Sequence, residues 1–340
     1  MAGLSQESIS DTDLRYRCRA AWPASAGRRS TARGRHLRRT TRRLATGPVM
    51  ILFTCANFGR VAGNPFAHGT APAGLNLPTD DLYWDRLGDE SVSTGHLRIL
   101  ELLDTLGIQC TFFAEGYAAE LYPEQLQWWA RAGHEIAQHG WKHEEWAGLD
   151  PVSEDHLLQL SARAFAGVLD RIPVGFCPPG GRINPASDGL FERHGIRYVS
   201  LMQEALSGPA SAIAAAFEES GVRFSGQDGS ARRPHEAAAT RLPNIPFSTE
   251  NIDTGLINPE SGGLFGKLSG DEAYAIFLRR FVLHEKTHPD LPILFSAHPF
   301  ISGLKSFPGL KTFLTGLYRE FGSGAFMTTG QYVLGSRSGA

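Results

Sequence analysis

The chain has 340 residues, of which 42% are hydrophobic and 20% charged, and its formal net charge is −2. This composition is typical of a globular protein with one large domain or two ordinary ones, and it has no overall basic character that would favour nucleic-acid binding. The four scattered cysteines show no CxxC spacing, and no apolar run approaches the roughly 18 residues that cross a bilayer, so we expect a cytoplasmic protein.

Residues 1–48 differ from the remainder of the chain in charge. They hold eleven arginines, no lysine and three acidic residues, a net charge of +8, which leaves about −10 for the remainder. They lack apolar periodicity, so we predict a disordered Arg-rich extension. Three interpretations stay open: sequence upstream of a natural start at Met50 or an inert tail, which we favour; a twin-arginine export signal with VMILFTCA as its apolar segment; and a nucleic-acid arm.

From Met50 onward, short apolar segments alternate with segments of helical periodicity. MILFTCAN predicts a buried strand, and the Gly/Pro-rich segment after it, up to GDES, predicts a long loop. TGHLRILELLDTLGI predicts a helix that ends at Gly107, and CTFFAEG predicts a second strand. YPEQLQWWARAGH predicts a helix that begins near Pro123 and ends at Gly133.

The same alternation continues to the C-terminal part of the chain. HEIAQH, PVGFCPP, IRYVSL and PILFSAHPF predict strands, while EDHLLQLSARAFAGVLDRI and NPASDGLFERHG predict helices. Alternating strands and helices with short links favour an α/β architecture with parallel strands, and several such units suggest a barrel. We assign this domain to residues 49–335.

Polar side chains follow several of these predicted strands. Asn57 follows the first strand, His139 the third and His298 the strand near the C-terminus, and Asp253 occupies a similar position in NIDTG. His143 lies four residues after His139 in the stretch GHEIAQHGWKHEEW. Because active sites of such barrels lie at the C-terminal ends of the strands, we expect these side chains to converge.

The stretch from about Met50 to Val333 resembles the polysaccharide deacetylase superfamily, of the carbohydrate esterase 4 type. The matching segments are LRILELLDTLGIQCTFFAEG, GHEIAQHGWKHE, GFCPPGGRINPASDGLFERHGIRY and SAHPFISG. It is similar to the branch of intracellular, peptidoglycan-deacetylase-like proteins and a metal-independent allantoinase. The resemblance implies a distorted (β/α)7 barrel and hydrolysis of a non-peptide carbon–nitrogen bond.

The resemblance also implies roles for individual residues. His139 and His143 match the two histidine ligands of a divalent metal, usually zinc, that polarises the acyl carbonyl and activates water. His298 matches the general acid that protonates the leaving nitrogen.

The first strand departs from the family pattern. The family has two aspartates there, a catalytic base and a third metal ligand, whereas this chain reads CANFG, with Asn57 at the place of the base and Phe58 or Gly59 at that of the ligand. Cys177 stands where the family has an activating arginine. An amide cannot take a proton from water at neutral pH, so the usual chemistry is in doubt.

Three outcomes therefore stay open. A metal such as zinc binds through His139, His143 and a substitute ligand; or the histidines act without a metal, which is equally favoured; or the barrel is a non-hydrolytic binding protein or serves another reaction. Candidates for the substitute ligand are Cys55, Asp80, Asp81 and Asp85.

Aromatic residues near the histidines suggest a substrate wall. Trp141 and Trp146 flank the histidine pair, Tyr83 and Trp84 in the long loop could close over a ring, and Pro178 follows the fourth strand. We expect an N-deacetylase or a deformylase-like hydrolase for a small intracellular substrate, with or without a sugar. We expect no nucleic-acid or membrane partner, and a homo-oligomer is possible.

Overall fold

A computed structural model describes residues 51–56, 81–144, 146–184, 186–203, 240–263, 266–288 and 291–335. Strands alternate with helices along these ranges. The strands are β1 (Ile51–Ala56), β2 (Thr111–Ala114), β3 (Glu135–Gln138), β4 (Gly175–Phe176), β5 (Tyr198–Val199), β6 (Met202–Gln203), β7 (Phe247–Ser248), β8 (Ile293–Ala297) and β9 (Phe326–Met327). The helices are α1 (Asp81–Glu90), α2 (Leu97–Leu106), α3 (Gly116–Leu121), α4 (Pro123–Arg131), α5 (Pro151–Leu169), α6 (Ser187–Arg193), α7 (Asp253–Leu256), α8 (Gly270–Thr287), α9 (Pro299–Ser302), α10 (Phe307–Phe321) and α11 (Thr329–Gly335).

Parallel pairing curls these strands into a barrel. The main sheet has the order β5-β4-β3-β2-β1-β8, and β9 pairs with the first residues of β1. On the far side, β6 pairs with β7, and the single bridges Val199–Asn244 and Ile252–Ser296 lead from β5 to β8. Residues 244–252 therefore supply the seventh strand position among the described residues. The distorted (β/α)7 barrel predicted from the sequence is confirmed.

The two faces of the strands separate the barrel interior from the helical layer. Leu52, Phe113 and Leu294 pack together in one cluster with buried residues from the other strands, so this face lines the interior. The alternate face carries Phe295, whose ring centroid lies 5.1 Å from that of Phe313 in α10. Because successive side chains of a strand point to opposite faces, Cys55 shares the outer face with Phe53, and Leu52 lies on the inner face.

The prediction of a long loop before α2 is partly wrong. Residues 81–90 form α1, and a π-helical segment, Ser91–His96, joins α1 directly to α2. A Cβ atom added at Gly95 would lie 2.5 Å from the carbonyl oxygen of Pro299, so glycine allows this segment to touch α9 just after His298. The helix from 81 to 106 thus supports one wall of the barrel mouth, which glycine-rich composition alone did not reveal.

Other predicted elements agree with the structure. The C-cap of α2 is Gly107, in the left-handed region with φ 62°, and Trp129 is buried as expected for one tryptophan of the pair in α4. Across the described ranges, no helix combines the length and the apolar character needed to cross a membrane. The Arg-rich extension lies outside the described residues, so its disorder stays a prediction.

Candidate active site

His139 follows β3 directly and is held by a backbone carbonyl. Its Nδ1 lies 2.6 Å from the carbonyl oxygen of Cys177, just after β4. A carbonyl only accepts, so Nδ1 must carry the proton, and Nε2 keeps its lone pair. The side chain is buried, and burial is the main cause that lowers the pKa of His139, with a further contribution from His143. The ring is therefore neutral at physiological pH.

His143 completes a pair of imidazoles. The ring centroids of His139 and His143 are 5.0 Å apart, with an interplanar angle of 71°. The backbone of His143 is left-handed, with φ 64°, a conformation that costs a non-glycine residue about 1–2 kcal/mol. Burial, followed by the electrostatic effect of nearby His298, lowers the pKa of His143 to about 4. Strained backbone at a functional side chain is a common feature of active sites.

The turn between the two histidines is fixed by Glu144. Its carboxylate accepts the backbone N–H groups of Trp141, at 2.9 Å, and of Lys142, at 2.8 Å. These bonds hold the turn while Gly140 adopts φ 73°. We did not single out Glu144 from the sequence, where its position in KHEEW is the only signal.

His298 follows β8 and is paired with Asp253 at the start of α7. The Nδ1 of His298 lies 2.6 Å from Oδ1 of Asp253, and its backbone N–H donates to Oδ2 at 2.6 Å. Asp253 is fully buried, whereas 13% of the His298 side chain is exposed. The carboxylate thus fixes the tautomer of the imidazole and leaves Nε2 for a substrate or water.

The Asp253 carboxylate has two further donors. The backbone N–H of Thr254 donates to Oδ1 at 2.8 Å, and the hydroxyl of Ser302 donates to Oδ2. Only an ionised carboxylate can accept four donors at once. The sequence motif SAHPFISG places Ser302 four residues after His298, one helical turn away, a spacing that could have indicated this contact.

The two histidine groups belong to one region of the molecule. His298 lies close enough to contribute electrostatically to the lowered pKa values of both His139 and His143. Because β3 and β8 are separated by β2 and β1 in the sheet, these side chains meet across the C-terminal mouth of the curled barrel. The structure therefore brings together His139, His143, His298 and Asp253, as the sequence analysis expected.

The described residues do not by themselves fit a complete metal site. His139 and His143 are neutral imidazoles with the chemistry of zinc ligands. Within the described ranges, however, no group of three or more His, Cys, Asp or Glu side chains could hold a metal ion. A third ligand from elsewhere stays a prediction, and the mechanism below uses no metal.

Cys55 does not suit the role of substitute ligand. Burial, reinforced by the charge of Asp253, raises the pKa of the Cys55 thiol well above its usual value. The residue also shares the outer face of β1 with Phe53. A side chain on that face points toward the helical layer and away from the barrel interior, and among the described residues it joins no group of three ligands that could hold a metal ion.

Trp141 follows His139 by two residues and contacts Tyr117. It is half-buried, and its ring centroid is 5.4 Å from that of Tyr117, the second residue of α3. Lys142 is exposed and places its ammonium 4.0 Å from the centroid of the Tyr117 ring. Tyr117 was not singled out from the sequence. Together these side chains offer an apolar surface with a positive charge at its edge.

Trp146 belongs to the core, which corrects its expected place in the substrate wall. It is fully buried, and its ring packs edge-on against Phe176 with a centroid distance of 4.8 Å. A side chain without accessible surface has none to offer a substrate. Pro178 is also buried and follows Cys177, so its contact with a substrate stays a prediction.

Several predicted site residues lie outside the described part of the chain. Asn57, Phe58, Gly59 and Asp80 are not described. Tyr83, Trp84, Asp81 and Asp85 lie in α1, but only the backbone is described there. Their expected roles at the site therefore remain predictions.

Comparison with known families shows what part of the chain is similar to. Residues 79–199 match the polysaccharide deacetylase family model. Over this stretch the chain is similar to polysaccharide deacetylases. The match covers the part of the chain that carries α1 to β5, including His139 and His143, and it confirms the resemblance proposed from the sequence.

Two curated relatives are similar to part of the chain. A peptidoglycan deacetylase-like protein of Gibberella zeae is 34% identical over 103 residues, which are 30% of this chain and 30% of that protein. A peptidoglycan deacetylase of Helicobacter pylori is 27% identical over 101 residues, which are 30% of this chain and 34% of that protein. The chain thus spans only about a third of the length of these relatives.

Two solved structures share the fold. A Mycobacterium smegmatis protein assigned as a polysaccharide deacetylase superposes with a TM-score of 0.59 at 23% identity, over 87% of this chain and 93% of that one. The Puue allantoinase superposes with a TM-score of 0.55 at 19% identity, over 80% of this chain and 85% of that one. At this level of identity, these similarities show the fold alone.

Proposed function

We propose that this chain is a hydrolase of a non-peptide carbon–nitrogen bond. Deacetylation or deformylation of a small intracellular amide, with or without a sugar, is the reaction that the site supports best. The observation that carries the proposal is the buried Asp253 carboxylate, which holds His298 by a 2.6 Å bond to Nδ1 at the barrel mouth shared with His139 and His143. The names of the curated relatives point to the same chemistry.

His298 is the acid–base group in this proposal. With Nδ1–H bound to Asp253, its free Nε2 takes a proton from water as the oxygen attacks the carbonyl carbon. The same nitrogen then gives this proton to the departing amine as the carbon–nitrogen bond breaks. One water is consumed, and a carboxylic acid and an amine are formed.

The neutral histidine pair orients the water. His139 keeps the lone pair of Nε2 because its Nδ1–H is engaged by the carbonyl of Cys177 at 2.6 Å. A lone pair accepts a hydrogen bond from the attacking water, and the lowered pKa values keep both rings in the accepting form. Trp141 and Tyr117 would lie beside the substrate ring.

A non-catalytic barrel is the second candidate, favoured by one feature of the sequence. The segment CANFG holds no carboxylate, and Cys177 replaces the arginine of the family. Such a barrel would bind an amide without hydrolysing it. We further propose that the partner is a small molecule and that nucleic acid and membrane are not involved.

Product release distinguishes the two candidates. We would incubate the full chain with N-acetyl and N-formyl amino sugars, N-formyl amino acids and allantoin, with and without added zinc, and quantify free carboxylate and new amine or ureide. The proposal expects at least one substrate whose turnover is lost in His298→Gln. His288→Gln, which changes an exposed histidine at the end of α8, is the matched control and should retain activity. Binding without product, or activity that survives His298→Gln, would contradict the proposal.

A further inference from the structure

A chain of buried hydroxyl groups extends behind the Asp253–His298 pair. Tyr274 of α8 places its hydroxyl 2.5 Å from the hydroxyl of Ser302 in α9, and Ser302 in turn contacts Oδ2 of Asp253. Tyr274 is 1% exposed, and Ser302 and Asp253 are fully buried. The proposed mechanism does not use this network.

The direction of each hydrogen bond follows from the chemistry of the groups. An ionised carboxylate only accepts, so Ser302 must use its single proton toward Asp253. Tyr274 must then donate to Ser302. Burial, and secondly the charge of Asp253, raise the pKa of Tyr274 well above its usual value, so the phenol keeps its proton. The order is therefore fixed: Tyr274 to Ser302, Ser302 to Asp253.

We infer that Tyr274 and Ser302 are positioning residues for His298. They anchor Oδ2 of Asp253 so that Oδ1 stays aimed at the Nδ1–H of His298, which in turn directs Nε2 into the barrel mouth. Successive hydrogen bonds polarise one another, so the donation from Tyr274 strengthens that from Ser302. The inference rests on the proposed acid–base role of His298 only for its catalytic consequence, not for the network itself.

The position of Tyr274 explains why it can fill this role. Its ring packs against Phe277, Phe295 and Phe313, at centroid distances of 5.6, 5.8 and 5.7 Å. These aromatic rings fix the phenol relative to β8, the strand that carries His298 at its end. Tyr274→Phe would therefore remove one oxygen atom and leave the ring packing in place.

The chain offers a matched control for each substitution. Tyr198→Phe removes another buried phenol hydroxyl, which donates to Glu135 at 2.9 Å near the opposite end of the barrel. Ser187→Ala removes another buried serine hydroxyl, which donates to the carboxylate of Glu154 at 2.7 Å. Each control also removes a buried hydroxyl group that is hydrogen-bonded to a polar partner. The hydroxyl groups removed in the controls do not contact Asp253 or His298.

The test is the proton resonance of the His298 Nδ1–H group in the full chain. A hydrogen bond to a buried carboxylate moves such a proton far downfield and slows its exchange, and the signal is assigned by its loss in His298→Gln. We expect Ser302→Ala to shift the signal and speed its exchange with water, Tyr274→Phe to do so less, and the double variant to match Ser302→Ala. Tyr198→Phe and Ser187→Ala should leave the signal unchanged.

The outcomes separate this inference from the proposed function. If the signal is unaffected by Ser302→Ala and Tyr274→Phe, or is equally affected by the controls, the two hydroxyl groups do not position His298 and contribute only to packing. An absent signal in the unmodified chain would overturn the fixed His298 geometry itself. If Ser302→Ala does not fold, Tyr274→Phe alone decides. With a hydrolysed amide in hand, we expect Ser302→Ala to lower kcat by about ten- to a hundredfold with KM nearly unchanged. If no amide is hydrolysed, the proposed function is contradicted, but the resonance test of the hydrogen-bond network still applies.

Discussion

Replacing Asp253 by asparagine should both destabilise the barrel and disable His298. The carboxylate accepts four donors: the backbone N–H and Nδ1–H of His298, at 2.6 Å each, the N–H of Thr254, at 2.8 Å, and the hydroxyl of Ser302. Asparagine presents one acceptor oxygen and one NH2 group. Two of the four donors would therefore lose their acceptor oxygen and face the NH2 group. Each buried group left unpaired costs about 1–3 kcal/mol, so we expect a loss of about 2–6 kcal/mol.

The loss is large against the total stability of a domain, which is about 5–15 kcal/mol. Urea denaturation followed by circular dichroism would measure it as a lower midpoint at an unchanged slope. The free imidazole would also lose its fixed tautomer, so kcat on any hydrolysed amide should fall by roughly 10² to 10⁴. These two effects have one cause, the loss of a buried acceptor.

Asp155→Asn is the matched control for this prediction. Asp155 also accepts from a histidine, the Nε2 of His194, at 2.8 Å, but its side chain is 36% exposed. Water can replace the lost acceptor there, so the urea midpoint should change far less than in Asp253→Asn. Equal midpoints for Asp253→Asn and Asp155→Asn would refute the argument that burial sets the magnitude.

Three other predictions concern the remainder of the molecule. Trp146→Leu should lower the free energy of unfolding, measured in urea, by about 3 kcal/mol, because it leaves a cavity beside Phe176, and it should leave ligand affinity unchanged. Weakened ligand binding without destabilisation would show instead that Trp146 contacts the substrate. Burial lowers the pKa of His134 to about 4, so the unfolded chain takes up a proton between pH 6.5 and pH 4 that the folded chain does not. The free energy of unfolding should therefore fall as pH falls through that window, and His134→Gln should reduce this pH-dependent loss by about 3 kcal/mol in urea denaturation. Asn57→Asp combined with Gly59→Asp should raise a weak or absent activity on chitin oligomers by about tenfold or more with added zinc; no gain in a folded variant would indicate other chemistry.

The strands and helices could be predicted where one face of each element is buried. α2 carries leucines at helical spacing and ends at Gly107, and both features are visible in the sequence. The extent of α1 could not be predicted, because the long segment before it is rich in glycine and proline. The close contact of Gly95 with α9 depends on the tertiary structure and leaves no local pattern.

The site residues at the strand ends could be predicted from the sequence, but the residues that hydrogen-bond to them could not. His139 and His298 follow apolar strands, and the parallel barrel brings such ends together. Ser302, which donates to Asp253, lies 49 residues away in sequence, and its contact with Tyr274 spans another 28 residues. Trp146 was misassigned because sequence proximity to His143 does not show that its side chain turns into the core.

A double-mutant cycle on His139 and His298 tests the central claim most directly. We would measure kcat for one hydrolysed amide with the unmodified chain, His139→Ala, His298→Gln and the double variant, each shown to be folded by circular dichroism. If both histidines act on the same water in one transition state, the double variant should lose about as much as the more severe single variant. Losses that multiply, or a His139→Ala variant with full activity, would contradict a single active site at the barrel mouth.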